Sequence, residues 1–301
     1  MTHSFVSGPV TIVSPATSAN LGPGYDALGL ALAYGDEIAA EVTDAGIRVE
    51  VEGVGAGQLP EDETHLVVAS MLAAFDEMGA RPSGLLVRCK NRIPHACGMG
   101  SSSAAIVGGI VAARELVLDG ADLLPDARAL VLASRIEGHP DNVAAALLGG
   151  LTIAWTEPES VEAVRMDVDV SVVVFVPSES VPTDEARGLL PSEVPHEDAA
   201  RNAGRAALLV AALHGRPELL LAATQDELHQ GYRSPVMPES FEFMTELRQT
   251  EVPAIISGAG PSVLAFTGAA ADTDTLLGRC PPGWTARSLT ASNVGAHVLE
   301  R

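Results

Sequence analysis

The sequence predicts an α+β fold. Two observations carry that reading. Short β-branched apolar runs and longer runs with apolar residues at helical spacing alternate irregularly, without the strict βαβ order of a doubly wound sheet. Hydrophobic residues make up 47% of the 301 residues and charged residues 19%, enough apolar material for a sizeable core. One large domain or two interlocked ones are expected at this length, with a soft boundary in the acidic stretch at 155–170.

Residues 10–14 are apolar and β-branched and predict a strand. Residues 15–26, rich in Pro, Gly, Ser and Asn, predict a structured loop. Strands are expected at 28–33, 37–42 and 47–51. The glycine cluster at 53–57 is read as a turn, because Gln58, Leu59 and Pro60 follow it instead of a helix. Thr64 is placed as the cap of a helix running to Met78. A strand at 85–91 then leads into a second polar loop at 93–103. Helices are expected at 104–118, 127–137 and 142–148, and strands at 151–155 and 171–176 with an acidic connector between them. Helices at 199–213, 217–228 and 240–249 follow. A short strand at 255–256 precedes a third glycine loop, 257–261. Strands at 263–266, 285–289 and 296–299 are expected to complete a sheet.

The net charge of −21 argues against nucleic acid and against an anionic membrane surface, since both need basic patches. It leaves nucleotide binding open, because a helix N-terminus with a few arginines can hold phosphate locally. Lys90 is the single lysine among the 18 basic residues, so no Walker-type lysine is available. Cys89, Cys97 and Cys280 have no metal or disulfide spacing. The start of the chain lacks a basic, then apolar, leader pattern, and no apolar run approaches a membrane span. A cytoplasmic protein is the expectation.

Three polar loops carry the chemistry. The middle one reads Pro94-His95-Ala96-Cys97-Gly98-Met99-Gly100-Ser101-Ser102-Ser103-Ala104-Ala105. Glycines let backbone N–H groups converge on an anion, a following helix adds its positive end, and serine hydroxyls can donate to phosphate or ligate magnesium. A phosphate cradle is the physical expectation. A second constellation is Glu137-Gly138-His139-Pro140-Asp141-Asn142. It fits a plain polar helix–helix connection, yet Glu137 could also give a carboxylate to magnesium, which takes one or two carboxylates besides phosphates and waters.

Taken in order, the segments resemble the GHMP kinases, and within them the homoserine kinase branch. Residues 15–30, Pro-Ala-Thr-Ser-Ala-Asn20-Leu-Gly22-Pro-Gly24-Tyr-Asp26-Ala-Leu-Gly-Leu30, resemble the first signature of that branch, the 94–105 loop its phosphate loop, and Ser257-Gly-Ala-Gly260-Pro-Ser262 its third motif. His139-x-Asp141-Asn142-Val with Gly149-Gly150, the Thr183…Arg187…Pro191 stretch and Tyr232-Arg233 are similar to the same branch. Met99 replaces a usual leucine, Ser103 a usual alanine, and His65 stands where an asparagine often lies near adenine.

The resemblance implies a two-domain fold: a ribosomal-protein-S5-domain-2-like, ATP-binding unit at 1–165 and a ferredoxin-like α/β unit at 166–301 that contributes to the substrate site. It implies transfer of the ATP γ-phosphoryl group to the hydroxyl of L-homoserine, as a step of threonine biosynthesis. Nucleotide contacts then fall on Pro94, Gly98, Met99, Gly100, Ser101, Ser102, Ser103 and His65. Mg²⁺ falls to Ser102 and Glu137. Substrate contacts fall on Asn20, Asp26, His139, Asn142, Arg187, Arg233 and Gly260. Glu137, Asn142 and Ser102 are carried over as the catalytic group. The arginines suit the substrate carboxylate, Asp26 its ammonium, and Asn20, His139 and Asn142 the hydroxyl end. Asparagine is no base, so the alcohol proton is expected to pass directly to a phosphate oxygen. The expected partner is the small-molecule substrate, with a homodimer as an option and neither nucleic acid nor membrane. Two alternatives stand beside this: a GHMP kinase for another small alcohol, and a non-catalytic nucleotide-binding protein on the same fold.

Overall fold

A computed structural model describes residues 4–158, 160–268 and 271–300. Its strands are β1 (Val10–Ala19), β2 (Leu28–Thr43), β3 (Gly46–Gly53), β4 (Gly84–Asn91), β5 (Leu151–Thr156), β6 (Val161–Met166), β7 (Ser171–Val176), β8 (Ala254–Ile256), β9 (Val263–Phe266), β10 (Thr285–Thr290) and β11 (His297–Glu300). Its helices are α1 (Leu66–Met78), α2 (Ser101–Leu116), α3 (Gly120–Leu123), α4 (Asp126–Glu137), α5 (Asp141–Leu148), α6 (Thr183–Gly188), α7 (His196–Leu213), α8 (Leu220–Ala223), α9 (Gln230–Arg233), α10 (Pro238–Gln249) and α11 (Thr273–Leu277). Strands and helices are mixed as the sequence predicts.

A first sheet runs β11-β1-β2-β4-β3, with β5 pairing β2 and β6 pairing β5; β3 and β4 are parallel. A second runs β10-β7-β9-β8. One apolar core, including Ile12, Ile38, Phe75, Val87, Ile110 and Val143, lies between the first sheet and the helices α1, α2, α4 and α5. A second, including Leu21, Leu30, Ile93, Val174, Leu209 and Phe266, joins the two sheets around the polar loops. A third backs β7–β9 with α10 and α11.

Several elements differ from the sequence reading. β1 does not stop at Ser14: it continues through Ala19 because a register shift after Pro15 places this proline where a missing N–H costs little. The same shift lets β2 run unbroken through Gly35, whose Cβ would stand 2.4 Å from the Ser14 carbonyl oxygen. Thr64 does not cap α1; its hydroxyl and its N–H both donate to Asp62, and His65 takes the N-cap position. α2 starts at Ser101, so all three serines lie in its first turn. The acidic connector contains β6, an edge strand whose Glu162 and Arg165 face solvent. The stretch 217–228 holds only a 3₁₀ turn and α8; the Leu221 and Thr224 carbonyls at its end accept from Arg248, which also reaches the Ala254 carbonyl of β8. The last two strands separate, β10 joining the second sheet and β11 returning to β1 in the first.

Candidate active site

The three polar loops meet around a cavity of about 430 Å³ at the junction of the two sheets. The middle loop forms its floor. Gly98 (φ +74°) and Gly100 (φ +66°) adopt left-handed backbone that disfavours any Cβ. A Cβ on Gly98 would stand 2.1 Å from the Ser257 carbonyl oxygen, and one on Gly100 would stand 1.9 Å from Thr17 Oγ1. The third loop therefore locks onto the second by close backbone approach, and Ser257 Oγ fastens it by donating to the Gly98 carbonyl at 2.6 Å. α2 begins where this cradle ends, directing its first-turn N–H groups, Ser101 and Ser102 to the cavity.

The end of α4 supplies the carboxylate. Glu137 Oε1 accepts from Ser102 Oγ at 2.6 Å and from Ser103 Oγ at 2.8 Å. Gly138 (φ +93°) ends the helix, and Pro140 turns the chain into α5. In that turn His139 Nδ1 lies 2.7 Å from Asp141 Oδ1, and its Nε2 lies 3.9 Å from Glu137 Oε1. Burial disfavours the charged imidazole, but the Asp141 hydrogen bond and the Asp141 and Glu137 charges outweigh it, so the His139 pKa lies above its ordinary value. Asn142 Oδ1 accepts from Thr17 Oγ1 at 2.7 Å, which leaves its amide N–H₂ as the group available to a ligand.

Charged side chains gather across the cavity. Arg187, from α6, makes a two-pronged pair with Asp26 at 3.0 and 3.1 Å, and this pairing raises the arginine's pKa. Arg233, at the end of α9, is 1% exposed; its guanidinium carbon lies 5.5 Å from the Tyr25 ring centre, and that of Arg187 lies 5.9 Å from the same ring. Burial lowers the Arg233 pKa. Asn20 fixes the intervening loop, donating to the Gly258 carbonyl at 2.9 Å and accepting from the Asp26 N–H at 2.9 Å.

At the far end, His65 is 4% exposed and neither ring nitrogen has a hydrogen-bond partner among the described residues, a costly state for two buried polar atoms that face a cavity. Burial, with His95 nearby, lowers its pKa and keeps the ring neutral.

The GHMP kinases N terminal domain matches residues 65–150. A homoserine kinase of Streptomyces avermitilis is 53% identical over 98% of this chain and 97% of its own length. One from Streptomyces coelicolor is 54% identical over 98% of this chain and 96% of its own. The chain belongs to the homoserine kinase family. The crystal structure of homoserine kinase from Cytophaga hutchinsonii shares the fold of this family member with a TM-score of 0.85 and 27% identity, covering 98% of both chains. The GHMP kinase fold is thus shown, and with it a phosphotransferase.

In this homoserine kinase family member, the cavity wall includes Asn20, Asp26, His65, Gly98, Met99, Gly100, Ser101, Ser102, Glu137, His139, Asn142, Arg187 and Arg233. Three residues expected there do not line it. Ser103 is fully buried behind Ser102, where its hydroxyl orients Glu137. Pro94 only leads into the loop. Gly260, inside the third loop, packs against Met237, where a Cβ would stand 2.4 Å from the sulfur. Asp26, expected to stand ready for an ammonium, is already paired with Arg187. Sequence reasoning missed Thr17, Tyr25, Asp141 and Ser257 as site residues. All four sit inside the quoted motifs, but each acts on a neighbouring side chain or backbone group, which residue type alone does not announce.

Proposed function

We propose that this kinase transfers the γ-phosphoryl group of ATP to the side-chain hydroxyl of L-homoserine, giving O-phospho-L-homoserine for threonine biosynthesis. The observation that carries this reading is the opposition, in one cavity, of a backbone-and-serine cradle and a pair of arginines flanking Tyr25. The cradle suits a triphosphate, and the arginines suit a small carboxylate.

Ser102 and Glu137 fit magnesium, being a hydroxyl and a carboxylate 2.6 Å apart beside a phosphate cradle. Bound there with ATP, magnesium would neutralise charge on the β- and γ-phosphates. The chain's own residues do the rest. The 98–103 backbone holds the phosphates. Arg233 and Arg187 receive the substrate carboxylate, and Asp26 exchanges part of its pairing with Arg187 for the ammonium. The Asn142 amide donates to the acceptor hydroxyl oxygen and orients its lone pair toward phosphorus. An amide is not a base, so Asn142, whose Oδ1 accepts from Thr17, does not take the proton, which passes to a phosphate oxygen. A loose transition state makes positioning and charge neutralisation the main requirements. His65 offers one donor and one acceptor to the adenine edge.

Residues 1–165 thus carry the nucleotide and 166–301 contribute the arginines, and we read the enzyme as cytoplasmic. No helix among the described residues is long and apolar enough to cross a membrane. A coupled ADP-release assay over homoserine, threonine, mevalonate and galactose tests the proposal. Homoserine should give the highest kcat/KM, and absence of homoserine turnover would sink it.

A further inference from the structure

Behind Arg233 lies a histidine to which the reaction above assigns no part. The His229 side chain is fully buried at the N-terminal edge of α9. Its Nε2 lies 2.8 Å from the carbonyl oxygen of Gly22, and its Nδ1 lies 3.3 Å from Arg233 Nη1. A carbonyl oxygen only accepts and a guanidinium only donates. One tautomer satisfies both: Nε2–H donates to Gly22 and the Nδ1 lone pair accepts from Arg233.

The surroundings enforce this state. Burial depresses the imidazole pKa and the Arg233 charge adds to that, opposed by Asp226 and more weakly by Asp26. Asp226 Oδ1 lies 3.7 Å from Nε2, but its carboxylate also accepts the backbone N–H groups of Leu228, His229 and Gln230. The Tyr25 ring covers the imidazole at 5.4 Å between ring centres. Protonation at Nδ1 would set an N–H against the guanidinium and end the contact.

Arg233 needs such a holder. Its other hydrogen bond among the described residues is a 3.4 Å one from Nη1 to the Gly258 carbonyl, and its Nε has no partner among them. We infer that His229 is a positioning residue that fixes the Arg233 guanidinium for the substrate carboxylate and ties it to the 20–26 loop that carries Asp26. This rests on the reading of Arg233 as a carboxylate binder.

Amide replacements separate the two hydrogen bonds. Glutamine can reproduce the donor at Nε2 but not the acceptor at Nδ1, and asparagine does the reverse. His229→Gln should raise the homoserine KM about tenfold, with kcat and the ATP KM within about twofold. His229→Asn should keep the homoserine KM within about threefold of wild type while lowering the Tm. In the double variant with Arg233→Ala, His229→Gln should add nothing further, because its effect passes through the guanidinium.

If Arg233→Ala leaves the homoserine KM unchanged, the carboxylate reading falls and the inference falls with it. If Arg233→Ala raises that KM while His229→Gln does not, or if the two effects add, the inference alone is overturned. Should His229→Gln fail to fold, His229→Asn decides: a KM near wild type upholds the inference, and one raised as in Arg233→Ala overturns it.

Discussion

The two ends of the cavity are built from different materials. The end we assign to the nucleotide is mostly main chain: Gly98, Gly100 and the first turn of α2, closed by contacts to the third loop and to Thr17 that leave no room for a Cβ. The end we assign to the acceptor is mostly side chain: Asp26 with Arg187, and Arg233 with His229, held by Tyr25 and by carbonyls of the 20–26 and 257–261 loops. Main chain positioned by close packing has few ways to yield. Side chains in ion pairs can change partners when a zwitterion arrives. Damage to the main chain of the first end should therefore appear in kcat and stability together, and damage at the second end chiefly in the KM for the acceptor.

The largest effect is expected at Gly98→Ala. The added methyl would collide with the Ser257 carbonyl oxygen at 2.1 Å and would impose an alanine on a left-handed backbone. A stability loss of about 2–4 kcal/mol and near-complete loss of turnover should follow, read by denaturant unfolding and ADP release. Glu137→Gln comes next. The amide oxygen can still accept from Ser102 and Ser103, so the Tm should move little, but the charge is gone and kcat should fall by roughly 100-fold or more. A matching rise in homoserine KM with kcat intact would erase the distinction between the two ends.

Arg187→Ala probes the other side. The Asp26–Arg187 pair is more than a third exposed on both side chains, so its loss should cost at most about 1 kcal/mol of stability. The homoserine KM should rise about tenfold with the ATP KM unchanged, since one of two carboxylate donors is removed and Asp26 loses its partner. Substrate-saturation curves in each substrate separately check this. Equal rises in both KM values would mean that the arginine serves the whole cavity.

The same contrast explains what the sequence disclosed. The cradle was legible because it is local: Gly98 to Ser103 are contiguous, and the helix that completes it follows directly. The start of α2 was set three residues late, since serines favour loops by propensity and only tertiary packing draws them into the first turn. The acceptor end joins residues up to 238 positions apart, such as Asn20 and Gly258, and no local pattern carries such a pairing. Family resemblance supplied Arg187 and Arg233. It did not supply the Asp26–Arg187 pairing or the His229 contact, which exist only once α6 and α9 are packed. The strands were legible where both faces are buried, as in β7, and missed in β6, where outward charges mask an edge strand.

The smallest predicted effect concerns a charge that the nucleotide end holds by its own backbone. Asp36, 4% exposed on β2, accepts the N–H groups of Arg92 and Ile93 with one oxygen, Oδ1, at 2.6 and 2.9 Å. These bonds anchor the entry to the phosphate loop. Burial nevertheless raises the Asp36 pKa above its ordinary value, and the two N–H groups only partly offset that. The sign follows from linkage: a carboxyl that holds its proton more tightly when folded adds most stability below the unfolded pKa, and that contribution is lost as pH rises through the folded pKa. Asp36→Asn keeps an oxygen for both N–H groups and removes the charge. At pH 7 its stability should lie within about 1 kcal/mol of wild type, on the favourable side if the amide N–H₂ finds water or a neighbour. On lowering the pH through the Asp36 titration, wild type should gain relative to the variant, so the difference in Tm shifts toward wild type. A loss well beyond 1 kcal/mol at pH 7, with no change in that difference on acidification, would mean that the ionised carboxylate itself holds the loop, and the nucleotide end would then depend on side-chain charge as the acceptor end does.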